Sequence, residues 1–179
     1  GVFDVSHMAQ ILIKGARSFD LIQKITTNDV SKLIDGKVQY SCMLNFSGGI
    51  IDDLLVYRFS QDSYMLVLNA ANTEKDIHWI NTNNDMGVDV VDVTFDRGLL
   101  AIQGPKTHLC LQKLTNTNLS SIPYYSFKIG KIANCPNVII SNTGYTGSGG
   151  FELYVDKSFA STLWRTLFLD NDLIEPIGL

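Results

Sequence analysis

Two adjacent aspartates, Asp52 and Asp53, stand inside a run of Ile, Leu and Val at residues 50–59, where Asp is intrinsically disfavoured. Something must offset them. The preceding Gly48-Gly49, set between two apolar runs, signals a hairpin. Side chains alternate faces along a strand, so Asp53, Leu55 and Tyr57 share one face and Asp52, Leu54 and Val56 the other. The two carboxylates are therefore not expected to form a facing pair, and only one belongs to any given pocket. If Asn45 pairs with Ile50, Tyr40 falls opposite Leu55, and Asp53 lies between two phenols, Tyr40 and Tyr57. A slip of one residue would send Tyr40 to the other face. A carboxylate in such an aromatic-rimmed cleft can serve as general base or hydrogen-bond acceptor for a neutral amine, worth about 10²–10⁴ in rate. The pattern equally allows Asp53 to cap a turn or pair with a nearby Arg or Lys.

A second unusual stretch is Thr143-Gly144-Tyr145-Thr146-Gly147-Ser148-Gly149-Gly150-Phe151-Glu152. Its glycines permit tight turns and close approach of a ligand. No Gly-Lys-Ser/Thr follows and no helix pattern opens after it, so neither a P-loop nor a dinucleotide fingerprint is present. Glu152 alternates with Phe151 and Leu153 as a strand residue, and by pattern alone it reads as an exposed one. Asn69 ends an apolar strand and is placed to face a ligand, while Asn72 or Thr73 reads as a helix N-cap. Thr73 followed by Asp76 resembles a capping box with Asp in place of Glu. His7, His78 and His108 have no metal-binding spacing, and Cys42, Cys110 and Cys135 have none either, so no metal site is expected.

These residues need elements to hold them. Period-two stretches at 10–14, 38–44, 50–59, 64–69, 88–93, 99–103, 126–132, 138–141 and 151–155 read as strands. Helix-period segments fall at 16–25, 72–81, 106–114 and 158–169. Many short strands joined partly by hairpins and partly by helices indicate an α+β class, with mixed or antiparallel sheets and packed helices. No internal repeat is evident by inspection. The 179 residues, 45% hydrophobic and 18% charged, have ordinary globular composition. Apolar runs are far shorter than the ~20 residues of a membrane helix, so a soluble chain is expected. A net charge of −4 makes nucleic acid an unexpected partner. Between Arg97 and Phe151 there is no Asp or Glu, whereas Arg97, Lys106, Lys113, Lys128 and Lys131 fall there. Such a stretch could steer an anionic ligand or acidic protein; a solvated face balanced by the acidic first half is the commoner reading.

Seven segments in order, spread over the whole chain, carry a family resemblance: Gly1-Val2-Phe3-Asp4-Val5-Ser6-His7-Met8, Ile25-Thr26-Thr27-Asn28-Asp29-Val30, the 40–57 hairpin, Val67-Leu68-Asn69-Ala70-Ala71-Asn72, Ala101-Ile102-Gln103-Gly104-Pro105, Tyr124-Tyr125-Ser126-Phe127, and Thr143-Gly144-Tyr145-Thr146-Gly147 through Leu153. They resemble the aminomethyltransferase, or T-protein, family of the glycine cleavage system. The resemblance implies transfer of a one-carbon unit from an aminomethyl group on the lipoyl arm of the H protein to tetrahydrofolate. The products would be 5,10-methylenetetrahydrofolate, ammonia and dihydrolipoyl H protein. By position, Asp53 is similar to the family's essential carboxylate, which contacts N10 of the folate. Glu152 is similar to the residue that accepts hydrogen bonds from the pterin, and Met8, Tyr40, Tyr57, Asn69 and Tyr145 match pocket-lining positions.

The resemblance also implies a folate-binding aminomethyltransferase-like fold, expected as two intertwined subdomains at approximately 1–95 and 96–179. Three scattered cysteines, odd in number, suit a reducing compartment, and bacterial cytoplasm or mitochondrial matrix is the expected location. Ala9 departs from the family's usual Gly. The family's chains include a preceding segment, and beyond the position of Leu179 a Gly-Ala-Arg-Asp segment and a barrel-like domain. The present sequence, beginning without Met, reads as a portion of such a chain, within which the pocket would be partly open and turnover in doubt. The alternatives are a non-catalytic folate-binding protein of the related iron–sulfur assembly type, or part of a folate-dependent demethylating flavoenzyme.

Overall fold

Period-two stretches become strands and 3.6-period segments become helices in a computed structural model that describes residues 1–169 and 171–178. In chain order the elements are β1 (Val2–Asp4), β2 (Ala9–Lys14), α1 (Ser18–Ile25), β3 (Val38–Leu44), β4 (Ile50–Ser60), β5 (Ser63–Leu68), α2 (Thr73–Thr82), β6 (Asp89–Asp92), β7 (Arg97–Gln103), α3 (Thr107–Gln112), β8 (Phe127–Ile132), β9 (Cys135–Ser141), β10 (Gly150–Asp156) and α4 (Lys157–Phe168). The class is α+β, and the strand pairs within both sheets are antiparallel. No helix among the described residues is long and apolar enough to cross a membrane.

The chain divides into two compact units, His7–Thr94 and Gly1–Ser6 with Phe95–Leu179. In the first, the sheet order is β3-β4-β5-β2-β6. One sheet face presents Ile11, Ile13, Leu54, Val56, Leu66 and Leu68 to Leu21, Ile22 and Ile25 of α1 and Ile80 of α2. Each such side chain contributes roughly 1.5–3 kcal/mol by leaving water, which is what holds short helices that would not persist alone. The register places Val38, Tyr40 and Cys42 of β3, Asp53, Leu55 and Tyr57 of β4, and Met65 and Val67 of β5 on the opposite face.

In the second unit the sheet order is β1-β7-β10-β9-β8. Leu100, Ile102, Val138, Ile140, Phe151, Leu153 and Val155 pack with Cys110 and Leu111 of α3 and Leu163 and Leu167 of α4. Glu152 pairs with Ala101 on one side and Ser141 on the other, and alternation puts it on the sheet face away from those helices.

The two units share one topology, a correction to the expectation of no repeat. Reading β2, β3, β4, β5 and β6 as β7, β8, β9, β10 and β1 turns one sheet order into the other. A shift of 89 positions carries Gly15 onto Gly104, Gln23 onto Gln112, Lys24 onto Lys113 and Thr26 onto Thr115. The match extends to hydrogen bonds. Gln23 Oε1 accepts from Val30 N at 2.8 Å while its Nε2 donates to Asn28 O at 3.1 Å. Gln112 Oε1 likewise accepts from Leu119 N at 3.0 Å while its Nε2 donates to Thr117 O at 3.0 Å. The same shift carries Gly36, at φ +81°, onto Tyr125, at φ +56°, so a tyrosine occupies a left-handed position that glycine fills in the other copy.

Candidate functional site

The 40–57 hairpin is closed by Asn45, whose Oδ1 accepts from Ser47 N and Gly49 N, both at 2.9 Å. Leu44, rather than Asn45, pairs with Ile50, and an irregularity between Met43 and Leu44 restores the Tyr40–Leu55 register. That register brings the Tyr40 phenol over Asp53. Tyr40 OH donates to Asp53 Oδ2 at 2.9 Å, and Asn69 Nδ2 donates to Asp53 Oδ1 at 2.8 Å. Asp53 is half-buried. Its hydrogen bond and its charge push the Tyr40 phenol up to about 12, so Tyr40 stays a neutral donor. The second expected phenol, Tyr57, is fully buried and pairs with Val38 and Met65.

The expectation that Asp52 and Asp53 serve separate surroundings needs correcting. Their side chains leave opposite faces of β4, but Asn69 sits where β5 ends and reaches both. Its Nδ2 donates to Asp52 Oδ1 at 3.0 Å as well as to Asp53. Asp52 also accepts from Asn69 N at 3.3 Å and Asn72 Nδ2 at 2.8 Å. Burial opposes ionisation of Asp52, yet hydrogen bonds from Asp76, Asn69 and Asn72 outweigh it and hold the carboxyl below its ordinary range. The expected capping box is absent. The Asn72 side chain makes no cap bond and Thr73 Oγ1 donates back to Ala70 O. Asp76 turns inward instead, fully buried. Burial, then its hydrogen bond with Asp52 and the charge of Asp52, push Asp76 up to about 8.

In the other unit, the glycine-rich segment folds around Gln103. Gln103 Nε2 donates to Thr143 O at 3.2 Å and to Phe151 O at 3.4 Å, and Thr146 Oγ1 donates to Gln103 Oε1 at 3.1 Å. Gly150, at φ +147°, admits no side chain because a Cβ there would overlap the Ile102 carbonyl oxygen. Gln103, Tyr124, Asn142, Thr143, Gly144, Gly147, Gly149 and Gly150 wall a cavity of about 130 Å³, less than the ~300 Å³ at which small-molecule sites begin. Thr143 Oγ1 donates to Glu152 Oε2. Burial pushes the Glu152 carboxyl up, against the lowering effect of that bond. Glu152 is thus a half-buried acceptor in a central strand, on the face away from the helices, not the exposed strand residue that its pattern alone suggested.

Asp53, Tyr40 and Asn69 are in direct hydrogen-bonded contact. Met8 is half-buried beside Ala9, which pairs with Leu68 just before Asn69. Tyr145 is 99% exposed and is not among the residues that wall the cavity. Sequence reasoning missed Asp52, Asn72 and Asp76 as one cluster with Asn69. The available signal was the four-residue spacing of Asp76 and Ile80, which puts a carboxyl on the apolar stripe of α2. Among the described residues no group of His, Cys, Asp and Glu could hold a metal ion.

Each copy of the duplicated α+β unit thus carries an acceptor carboxyl: Asp53, held by a phenol and an amide, in one, and half-buried Glu152, bonded by Thr143 beside a glycine-rich loop, in the other. The chain belongs to the GCVT N-terminal domain family, whose model matches residues 1–179. It is 51% identical to an aminomethyltransferase of Flavobacterium psychrophilum, over the whole of this chain and 50% of that protein. The crystal structure of glycine cleavage system aminomethyltransferase T from Bartonella henselae matches all of this chain and 47% of that one, with TM-score 0.86 and 27% identity. A heterotetrameric sarcosine oxidase from Corynebacterium sp. U-96 matches 93% of this chain and 80% of its own at TM-score 0.66; its 14% identity shows the fold alone. The chain spans about half the length of the curated relatives it matches.

Proposed function

We propose that this chain is the folate-binding and catalytic portion of an aminomethyltransferase of the glycine cleavage system. In this reading it passes the one-carbon unit of an aminomethyl-lipoyl H protein to tetrahydrofolate, giving 5,10-methylenetetrahydrofolate and releasing ammonia. The observation that carries the reading is Asp53. It is held by Tyr40 OH at 2.9 Å and Asn69 Nδ2 at 2.8 Å, in a family whose curated members are named aminomethyltransferase. A half-buried carboxylate so oriented can accept the N10 proton of the folate as that nitrogen attacks the aminomethyl carbon. Glu152 would accept from the pterin's amino and ring N–H groups, each such charge-assisted bond being worth about 1.5–3 kcal/mol. Met8, Tyr40, Asn69 and Tyr145 would line the ligand, with Tyr57, fully buried on the sheet face it shares with Tyr40, behind them. The bacterial relatives favour a cytoplasmic setting.

Two substitutions in the complete gene product test the reading. Asp53→Asn keeps the shape and the two partners but cannot take a proton, so one-carbon transfer should fall by at least about 10² while folate affinity stays within a few-fold. Glu152→Ala should weaken folate binding itself, read by titration calorimetry. Normal turnover in the first variant would refute the role of Asp53, and unaltered affinity in the second would remove the pterin contact.

A further inference from the structure

Asp76 neighbours Asp52, and the Asn69 amide that donates to Asp52 also donates to Asp53. Asp76 is fully buried, and among the described residues no N–H or O–H donates to either of its oxygens. The carboxyl of Asp52 lies against it, so the two can share a hydrogen bond only if one of them carries a proton. Two ionised carboxylates in contact away from water repel too strongly to persist, so one proton resides on the pair. Asp52 receives N–H donors from Asn69 N, Asn69 Nδ2 and Asn72 Nδ2, whereas Asp76 receives none. The proton therefore belongs to Asp76. We infer that Asp76 is a positioning residue, a protonated carboxyl that donates to Asp52 and, through Asp52, fixes the Asn69 amide that holds Asp53.

The charges around Asp76 are few. Asp52 faces it from β4, and Lys75 Nζ of its own helix lies 4.0 Å from Asp76 Oδ1 while donating to Ile51 O at 2.5 Å. Asn69 and Asn72 at the end of β5 and the start of α2 are uncharged, and Glu74 and His78 lie on the exposed side of α2. Lys75, half exposed and also donating to Ile51 O, offsets only part of the effect of burial and Asp52 on Asp76. Because burial and Asp52 push Asp76 up to about 8, the positioning is intact at neutral pH and is lost as the pH rises through that value. Ionised Asp76 then repels Asp52 and loosens its hold on Asn69.

This inference rests on the reading of Asp53 as the acting carboxylate, and the experiment separates the two. In the ¹⁵N-labelled complete gene product, the Asn69 side-chain amide resonance, assigned by its disappearance in Asn69→Asp, is followed between about pH 6 and 9.5. It should shift with a midpoint near 8 in the wild-type protein and stay fixed in Asp76→Asn. One-carbon transfer at neutral pH should fall at least about 10-fold in Asp76→Ala, through loss of the hydrogen bond to Asp52. Asp76→Asn keeps an N–H donor, so it should recover most of that loss and show no alkaline fall through pH 8. An Asn69 resonance indifferent to pH, or an alkaline limb in Asp76→Asn identical to that of the wild type, would overturn the positioning role. Asp53→Asn retaining full turnover, with the Asn69 titration in place, would instead remove the functional reading.

Discussion

A phenol beside a carboxylate is a donor only while it keeps its proton, and in Tyr40 the carboxylate enforces that condition. The bond to Asp53 and the charge of Asp53 push Tyr40 up to about 12. Ionisation would place two negative charges at hydrogen-bond distance, so the neutral form persists over the whole range in which an enzyme operates. Removing the charge should release the phenol. In Asp53→Asn, one more tyrosine should ionise near the ordinary value of about 10 than in the wild type, read as tyrosinate absorbance during an alkaline titration. The double variant Asp53→Asn with Tyr40→Phe should lack that extra step. If the titration curves of wild type and Asp53→Asn coincide, Tyr40 is not coupled to Asp53 in solution. Half of the Tyr40 surface faces solvent, 49% by exposure, so the bond is screened. Tyr40→Phe alone should therefore cost no more than about 10-fold in turnover, at the lower end for a hydrogen bond to a charged group.

Within each unit, the loop that follows the first helix is held by one glutamine. Gln23 and Gln112 each accept a backbone N–H, from Val30 and Leu119, and each donates to backbone carbonyls across the same turn. Truncation leaves a half-buried backbone donor without its acceptor, which costs about 1–3 kcal/mol. Gln23→Ala and Gln112→Ala should each lower the denaturant midpoint by that amount, whereas loss of a merely surface amide would stay within about 0.5 kcal/mol. Strand alternation and helix period were legible in the sequence because each depends on local burial alone; β1, only Val2–Asp4, was too short to show a period. The Tyr40–Asp53 contact was legible for the same reason, since sheet register follows from alternation once one pairing is set. The Asn69–Asp52–Asp76 cluster was not, because it joins residues from β4, the end of β5 and α2 that no period relates. The glutamine turns were missed for a different reason. The shift of 89 positions that relates them retains scattered identities such as Gly15 with Gly104 and Gln23 with Gln112, and only the repeated hydrogen bonds show that these are equivalent.

Charge is the property of the whole molecule that bears most directly on partners. The net value is −4, yet all 18 acidic residues lie outside 97–151, a stretch that holds Arg97, Lys106, Lys113, Lys128 and Lys131. The four lysines are exposed, and among the described residues none of them forms an ion pair within 4.0 Å. Two functions would put lysines there. Lys128 and Lys131 lie on β8, the outer strand of its sheet, where a charge of either sign discourages edge-to-edge pairing with another chain. Positive charge in particular would also speed the approach of an acidic carrier protein, a part that the lipoylated donor would take under the proposed function if its docking surface is acidic. Reversing the sign separates the two. Lys128→Glu with Lys131→Glu keeps the edge charged, so the protein should remain monodisperse in light scattering if edge protection were the sole role, and association with the donor would be unchanged. Steering instead predicts that the association rate measured by stopped flow falls several-fold in the double variant at about 0.05 M salt. It also predicts that wild type and variant converge above about 0.5 M, where the Debye length drops below roughly 5 Å. Equal rates at low salt would leave β8 as a guarded edge and nothing more.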